Sequence, residues 1–152
     1  MYRTMEEAMI AASRSGIGMR DQRIRVLVVD PVVKERETMG RFLAAWNFEP
    51  VPAASSEAAR QLVAGQDIAI AVVADPVVGS ETIALVRALR DCRPGVETIL
   101  LTENDSASFA TEAFRAGVYD CLKRPVEFKQ LSRDLNTLRD AVQRRIERKV
   151  WE

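Results

Sequence analysis

From Arg25 onward, short apolar runs alternate with stretches of helical periodicity. Arg25–Val29 is continuous in Val and Leu, the pattern of a strand buried on both faces. Phe48–Val51 predicts a shorter strand, closed by Pro52. Ile68–Ala74 predicts a second fully buried strand, Val96–Leu101 the next, and Val118–Leu122 the last. Between them, Met39, Phe42, Leu43 and Trp46 fall at i, i+3, i+4 and i+7, one face of a helix. Ser55 or Ser56 caps a helix through Ala59, Leu62 and Val63 that stops at Gly65. Ser80–Cys92 turns Ile83, Val86 and Leu89 inward before Pro94-Gly95 ends it. Ser106–Ala116 turns Phe109, Ala113 and Phe114 inward, with Gly117 as its stop. Glu127 to about Trp151 predicts one long helix.

Strand and helix repeated in this order predict an α/β fold: a doubly wound parallel sheet with helices on both faces. Residues 1–22 fit it poorly. Met5, Ala8, Met9 and Ala12 line one face of a short helix, which Ser13 to Gly18 then breaks, so 1–22 is expected to be a flexible leader.

Composition narrows the function. At 47% hydrophobic the chain can bury a sizeable core. Lys+Arg and Asp+Glu both count 22, so no net charge draws it toward nucleic acid or anionic membrane. No apolar run approaches the roughly 20 residues of a membrane span, and Met1 to Glu7 lacks the pattern of a signal peptide. Cys92 and Cys121 have no metal-ligand spacing and read as reduced thiols of a cytoplasmic protein. Histidine is absent, which removes Ser-His-Asp and Cys-His catalysis, most zinc sites and a phosphohistidine donor.

The strand ends carry the chemistry. The first ends in Asp30, the third in Asp75, the fourth in Thr102 followed by Glu103, Asn104 and Asp105, and the fifth leads into Lys123, Arg124 and Pro125. Open parallel sheets bind ligands outside the carboxyl ends of their strands, at the point where the strand order reverses. With strand order 2-1-3-4-5, Asp30 and Asp75 would face each other across that crevice and share a Mg²⁺ ion. The hydroxyl of Thr102 and the cation of Arg124 would complete a phosphate cradle. Each residue alone also reads as a loop cap; it is the set, in this order, that points to a site.

Residues 24–140 resemble the receiver domain of two-component response regulators. The resemblance rests on Arg25-Val26-Leu27-Val28-Val29-Asp30, Arg36-Glu37, Leu85-Val86-Arg87-Ala88-Leu89-Arg90, Ile99-Leu100-Leu101-Thr102 and Ala116-Gly117 through Pro125. The last run is similar to the family pattern Gly-Ala-x-Asp-Tyr-Leu-x-Lys-Pro. The resemblance implies a flavodoxin-like (βα)5 fold over about 23–140. It also implies a signalling module that controls an output domain or partner. Such a module is no enzyme beyond phosphorylating and dephosphorylating its own aspartate with Mg²⁺, and its phosphoryl donor is a histidine kinase or phosphotransfer protein.

The chain departs from the family at several points. A second acid usually follows the first; here it is Pro31, which weakens any Mg²⁺ site. The segment Asp75-Pro76-Val77-Val78-Gly79 lacks the family's Met-Pro. Counting back from the next helix without a gap puts Ala74 at the acceptor position, and a loop shorter by one puts Asp75 there. Asp75, the acid available, is the candidate phosphoacceptor. Arg124 stands where the family has Lys, and Cys121 where it has an aromatic switch residue. The resemblance is therefore to an atypical, degenerate member.

The last helix runs on past the receiver. Leu131, Leu135, Leu138, Val142, Ile146 and Val150 form one stripe, and residues 141–152 are expected to project as a linker or a dimerisation element. The ending at Trp151-Glu152 reads as though a longer regulator continued. Arg139, Arg144, Arg145, Arg148 and Lys149 make the tail basic, but no helix-turn-helix follows, so nucleic acid is not the expected partner. The alternative is a non-phosphorylated interaction scaffold that dimerises through this helix. A small hydrolase using Asp30 is a third reading, and the second acid it needs is replaced by Val32. Neither a phosphate loop nor a Gly-x-Gly-x-x-Gly turn is present.

Overall fold

The structure is a computed structural model that describes residues 4–7 and 23–151. Five strands and five helices alternate: β1 (Arg25–Val29), α1 (Val33–Ala45), β2 (Glu49–Ala53), α2 (Ser56–Gly65), β3 (Ile70–Ala74), α3 (Thr82–Cys92), β4 (Glu97–Thr102), α4 (Ala107–Arg115), β5 (Val118–Lys123) and α5 (Phe128–Trp151). The strands form one parallel sheet in the order β2-β1-β3-β4-β5. This is the expected flavodoxin-like doubly wound architecture with a long last helix. Among the described residues no helix is long and apolar enough to cross a membrane.

Two apolar layers sandwich the sheet. Leu27, Val29, Val73 and Leu100 pack toward α2, α3 and α4 through Val63, Leu85, Leu89 and Ala113. Val26, Val28, Val72 and Ile99 pack toward α1 and α5 through Phe42, Leu43, Leu131 and Leu135. Every residue of β3 is buried, as it must be in a central strand covered on both faces.

Three expectations are corrected. The second strand spans Glu49–Ala53, prolines included, and Phe48 is core rather than strand. Its edge position explains this. Glu49 N–H donates to Ile24 O at 2.9 Å, and Ala53 O accepts from Asp30 N–H at 3.1 Å. The alternate positions Pro50 and Pro52 therefore turn their missing donors to the open edge, where no ladder bond is lost. The third strand starts at Ile70, because Ile68 N–H donates to Gln66 O in a preceding turn. Phe114 is 51% exposed, since α4 is only nine residues long and buries just Ala113 against the sheet.

The helix starts are chemical. Ser55 Oγ accepts from Ala58 N–H at 3.2 Å and Ser106 Oγ from Phe109 N–H at 3.2 Å, which selects Ser55 as the cap of α2. Gly79 has φ +100°, and a Cβ there would stand 2.7 Å from Ser56 Oγ. On α5 the buried stripe ends at Val142; Ile146 and Val150 are 50% and 75% exposed. Residues 4–7 make a helical turn whose Met5 packs against the α1–α5 layer. The rest of the expected leader 1–22 lies outside the described residues.

One buried acid weakens the α5 packing. Asp134 is buried on α5 against the Asp120 carboxyl of β5, with no protein donor to its Oδ2. Burial, and then the neighbouring carboxyl of Asp120 on β5, push its pKa up to about 7. The folded state thus holds a proton that the unfolded chain releases near its ordinary carboxyl pKa. That contribution to stability is fully present in acid and is lost as pH rises through about 7. The urea midpoint should fall between about pH 4 and pH 7 and level off above, and Asp134→Asn should shrink the fall; an unchanged slope in the variant would refute this assignment.

Candidate functional site

Asp75 follows the last residue of β3, and its N–H still bonds to Leu101 O of β4 at 2.8 Å. Its side chain turns to the α3 side. Thr82 Oγ1, on the first residue of α3, donates to Asp75 Oδ1 at 2.5 Å. Thr102 Oγ1, on the last residue of β4, donates to Asp75 Oδ2 at 2.8 Å. Both threonines are buried. Thr102 Oγ1 also accepts from Asn104 N–H at 3.0 Å, which fixes the loop after β4.

Arg124 joins this group from the loop after β5. Its N–H donates to Thr102 O at 2.9 Å. Its guanidinium does not meet the Asp75 carboxylate. Nη1 donates to the Asp75 main-chain carbonyl at 3.0 Å, and Nη2 pairs with Glu35 Oε2 of α1 at 2.6 Å. An arginine fork can serve two acceptors at once in this way, where an ammonium offers one point of charge. Asp75, Thr102 and Arg124 are therefore brought together, with Thr82 and Glu35 as partners the sequence reading did not single out. Both lie in the first turn of a helix that follows a strand end, and that position is the signal that points to them. Lys123 lies outside the group; its Nζ pairs with Asp105 Oδ2 at 3.1 Å and holds that carboxyl below its usual range.

Asp30 belongs elsewhere. It is 7% exposed, and its Oδ1 accepts from Val32 N–H at 2.9 Å. Burial raises its pKa against the Val32 hydrogen bond; Glu35 adds to the rise, while Arg124 and Arg36 oppose it. It lines a cavity of about 610 Å³ with Lys34, Glu35, Met39 and Phe128, whereas Asp75 lines one of about 410 Å³ with Glu81, Thr82, Phe109 and Glu112. The strand register gives the reason. Val29 pairs with Val73 at the end of the β1–β3 ladder. Side chains alternate across a sheet, so Asp30 follows Val28 to the α1–α5 side and Asp75 follows Val73 to the α3 side. The two acids thus line different cavities, and Arg124, bonded to Asp75 O, also lines the one that holds Asp30.

That arrangement does not fit Mg²⁺, which demands near-octahedral oxygen coordination. Pro31 offers no side-chain ligand; both Asp75 oxygens accept threonine protons; and Asp30 opens on another cavity. Among the described residues there is no group of three or more His, Cys, Asp or Glu placed to hold a metal.

The knot around Asp75 predicts a stability effect. Asp75→Ala leaves two buried hydroxyls without their acceptor and should cost about 1–3 kcal/mol. Asp75→Asn keeps one acceptor oxygen and should cost less. Urea denaturation checks the ranking, and equal losses would show that the carboxylate does not organise these helix and strand ends.

No family model matches the chain. It is 28% identical over 106 residues to a cyclic di-GMP phosphodiesterase of Thermotoga maritima, covering 70% of this chain and 28% of that protein. It is 24% identical over 117 residues to the transcriptional regulatory protein ZraR of Escherichia coli, covering 77% of this chain and 26% of that protein. The chain thus spans about a quarter of the length of the curated relatives it matches. Among solved structures, a response regulator receiver protein from Pseudomonas putida superposes with a TM-score of 0.71 at 26% identity, over 76% of this chain and 97% of that one.

Proposed function

Since the chain has the fold of a response-regulator receiver domain, we propose that it is a signalling module that works through protein contacts, without phosphoryl transfer to Asp75. Its output is a partner or an attached domain, and it performs no turnover of its own. The observation that carries this reading is the double hydrogen bond from Thr82 and Thr102 to the Asp75 carboxylate. A carboxylate that attacks phosphorus needs a cation to offset the charge that gathers at the phosphoryl oxygens. Each Asp75 oxygen already accepts a threonine proton, which lowers its nucleophilicity, and the Arg124 guanidinium is committed to the Asp75 backbone and to Glu35.

A second reading keeps Asp75 as the phosphoacceptor of a histidine kinase or phosphotransfer protein. It is supported by the placement of Thr102 and Arg124 beside Asp75, the set a phosphate cradle would use. The exposed Ile146 and Val150 beyond the packed part of α5 support self-association through that helix as the means of output. Reduced Cys92 and Cys121 support a cytoplasmic setting.

The two readings divide on one experiment. The chain is incubated with acetyl phosphate and Mg²⁺ and its mass is followed over time. The expected result is no phosphoryl adduct. Rapid Mg²⁺-dependent labelling that disappears in Asp75→Asn would overturn the first reading in favour of the second.

A further inference from the structure

We propose that the cavity lined by Asp30 is a binding site for a small organic cation with a flat apolar body, held by a charge-assisted hydrogen bond to the free oxygen of Asp30. Four observations lead there. The cavity holds about 610 Å³, within the range of roughly 300–1,000 Å³ typical of small-molecule sites. It lies at the carboxyl ends of the strands, beside the β1/β3 reversal where such folds bind ligands.

Its apolar walls are Met39 of α1, Leu101 of β4, and Val126 and Phe128 at the start of α5. Phe128 is already seated on Phe42, with ring centroids 5.0 Å apart, so that wall is held in place without a ligand. Preformed apolar surface with few polar groups is what an organic ligand needs and what a hydrated metal ion does not.

The polar lining then selects the charge. Glu35 and Arg124 neutralise each other in the 2.6 Å pair that bridges α1 to the loop after β5. In all, three carboxylates (Asp30, Glu35, Glu103) stand against two cations (Lys34, Arg124), which leaves a net charge of −1. Glu103 and Lys34 are exposed at the surface, whereas Asp30 is more than nine-tenths buried. Asp30 Oδ1 takes the Val32 N–H, and Oδ2 takes no hydrogen bond among the described residues. That oxygen faces the cavity with no protein donor, so it is free to accept from a ligand amidine or ammonium whose aromatic body covers the walls.

Binding at this cavity is independent of whether Asp75 accepts a phosphoryl group. The test uses the whole chain, with benzamidine as the cationic probe and benzyl alcohol as its neutral counterpart, followed by amide NMR titration. The expected result is saturable binding of benzamidine, with shifts centred on Asp30, Met39, Val126 and Phe128 and much weaker binding of benzyl alcohol. Asp30→Asn should weaken benzamidine by about tenfold or more, the loss of one charge-assisted hydrogen bond. Val126→Trp, at a partly exposed loop position, should fill the cavity and weaken both probes; it decides the matter if Asp30→Asn does not fold. Shifts that fail to saturate, that centre elsewhere, or that are equal for the two probes would overturn the proposal, as would full affinity in either folded variant.

Discussion

The register between β1 and β3 governs what this chain can do. A parallel sheet covered on both faces makes each strand residue choose a side, and Val29 opposite Val73 makes that choice for the acids beyond the strand ends. Asp30 goes with Val28 to the α1–α5 side and Asp75 with Val73 to the α3 side. The Asp75 oxygens find partners in Thr82 and Thr102, and its main-chain carbonyl in the Arg124 guanidinium. Register separates the two carboxylates, and these bonds tie one of them into the framework.

The framework it joins is continuous. Thr102 connects β4 to Asp75, the Arg124 main chain connects the loop after β5 to Thr102, and the Arg124 guanidinium reaches Asp75 O and Glu35 of α1. The ends of four segments are held together by a handful of polar contacts. Such contacts give modest net stability but strong geometric specification, because a buried donor left unpaired costs more than a made bond gains. The end of the sheet is in this respect preorganised and stiff.

The fold was legible because its signals are collective. Ile70 to Ala74 is apolar at every position, and a central strand has no other way to appear. The misreadings fall where a single local rule competes with tertiary context. Pro50 and Pro52 speak against a strand unless the strand is known to be an edge, and edge position is a property of the assembled sheet. Phe114 completes an apolar face on paper, but α4 is too short to bury it. The site was legible in membership and less so in geometry. Asp75, Thr102 and Arg124 stand at strand ends and meet there. That Asp30 and Asp75 part company follows from register and alternation, and the pairing register cannot be read from either strand alone. Thr82 and Glu35 carry no motif; only a place in the first turn of a helix brings each to the strand ends.

The long last helix starts at this end of the sheet and runs on past its packed part. Phe128, in its first turn, forms a wall of the Asp30 cavity, and Ile146 stands exposed about 27 Å away at 1.5 Å per residue. Between them Leu131, Leu135 and Leu138 fasten the helix to the sheet. Interdigitated leucines resist sliding, since any shift opens voids that water does not fill. Asp134 works against that seal: it is buried beside Asp120, and one of its oxygens has no protein donor. Replacing it with an apolar residue would make a more stable helix–sheet contact, so its presence lowers the cost of moving α5 relative to β5.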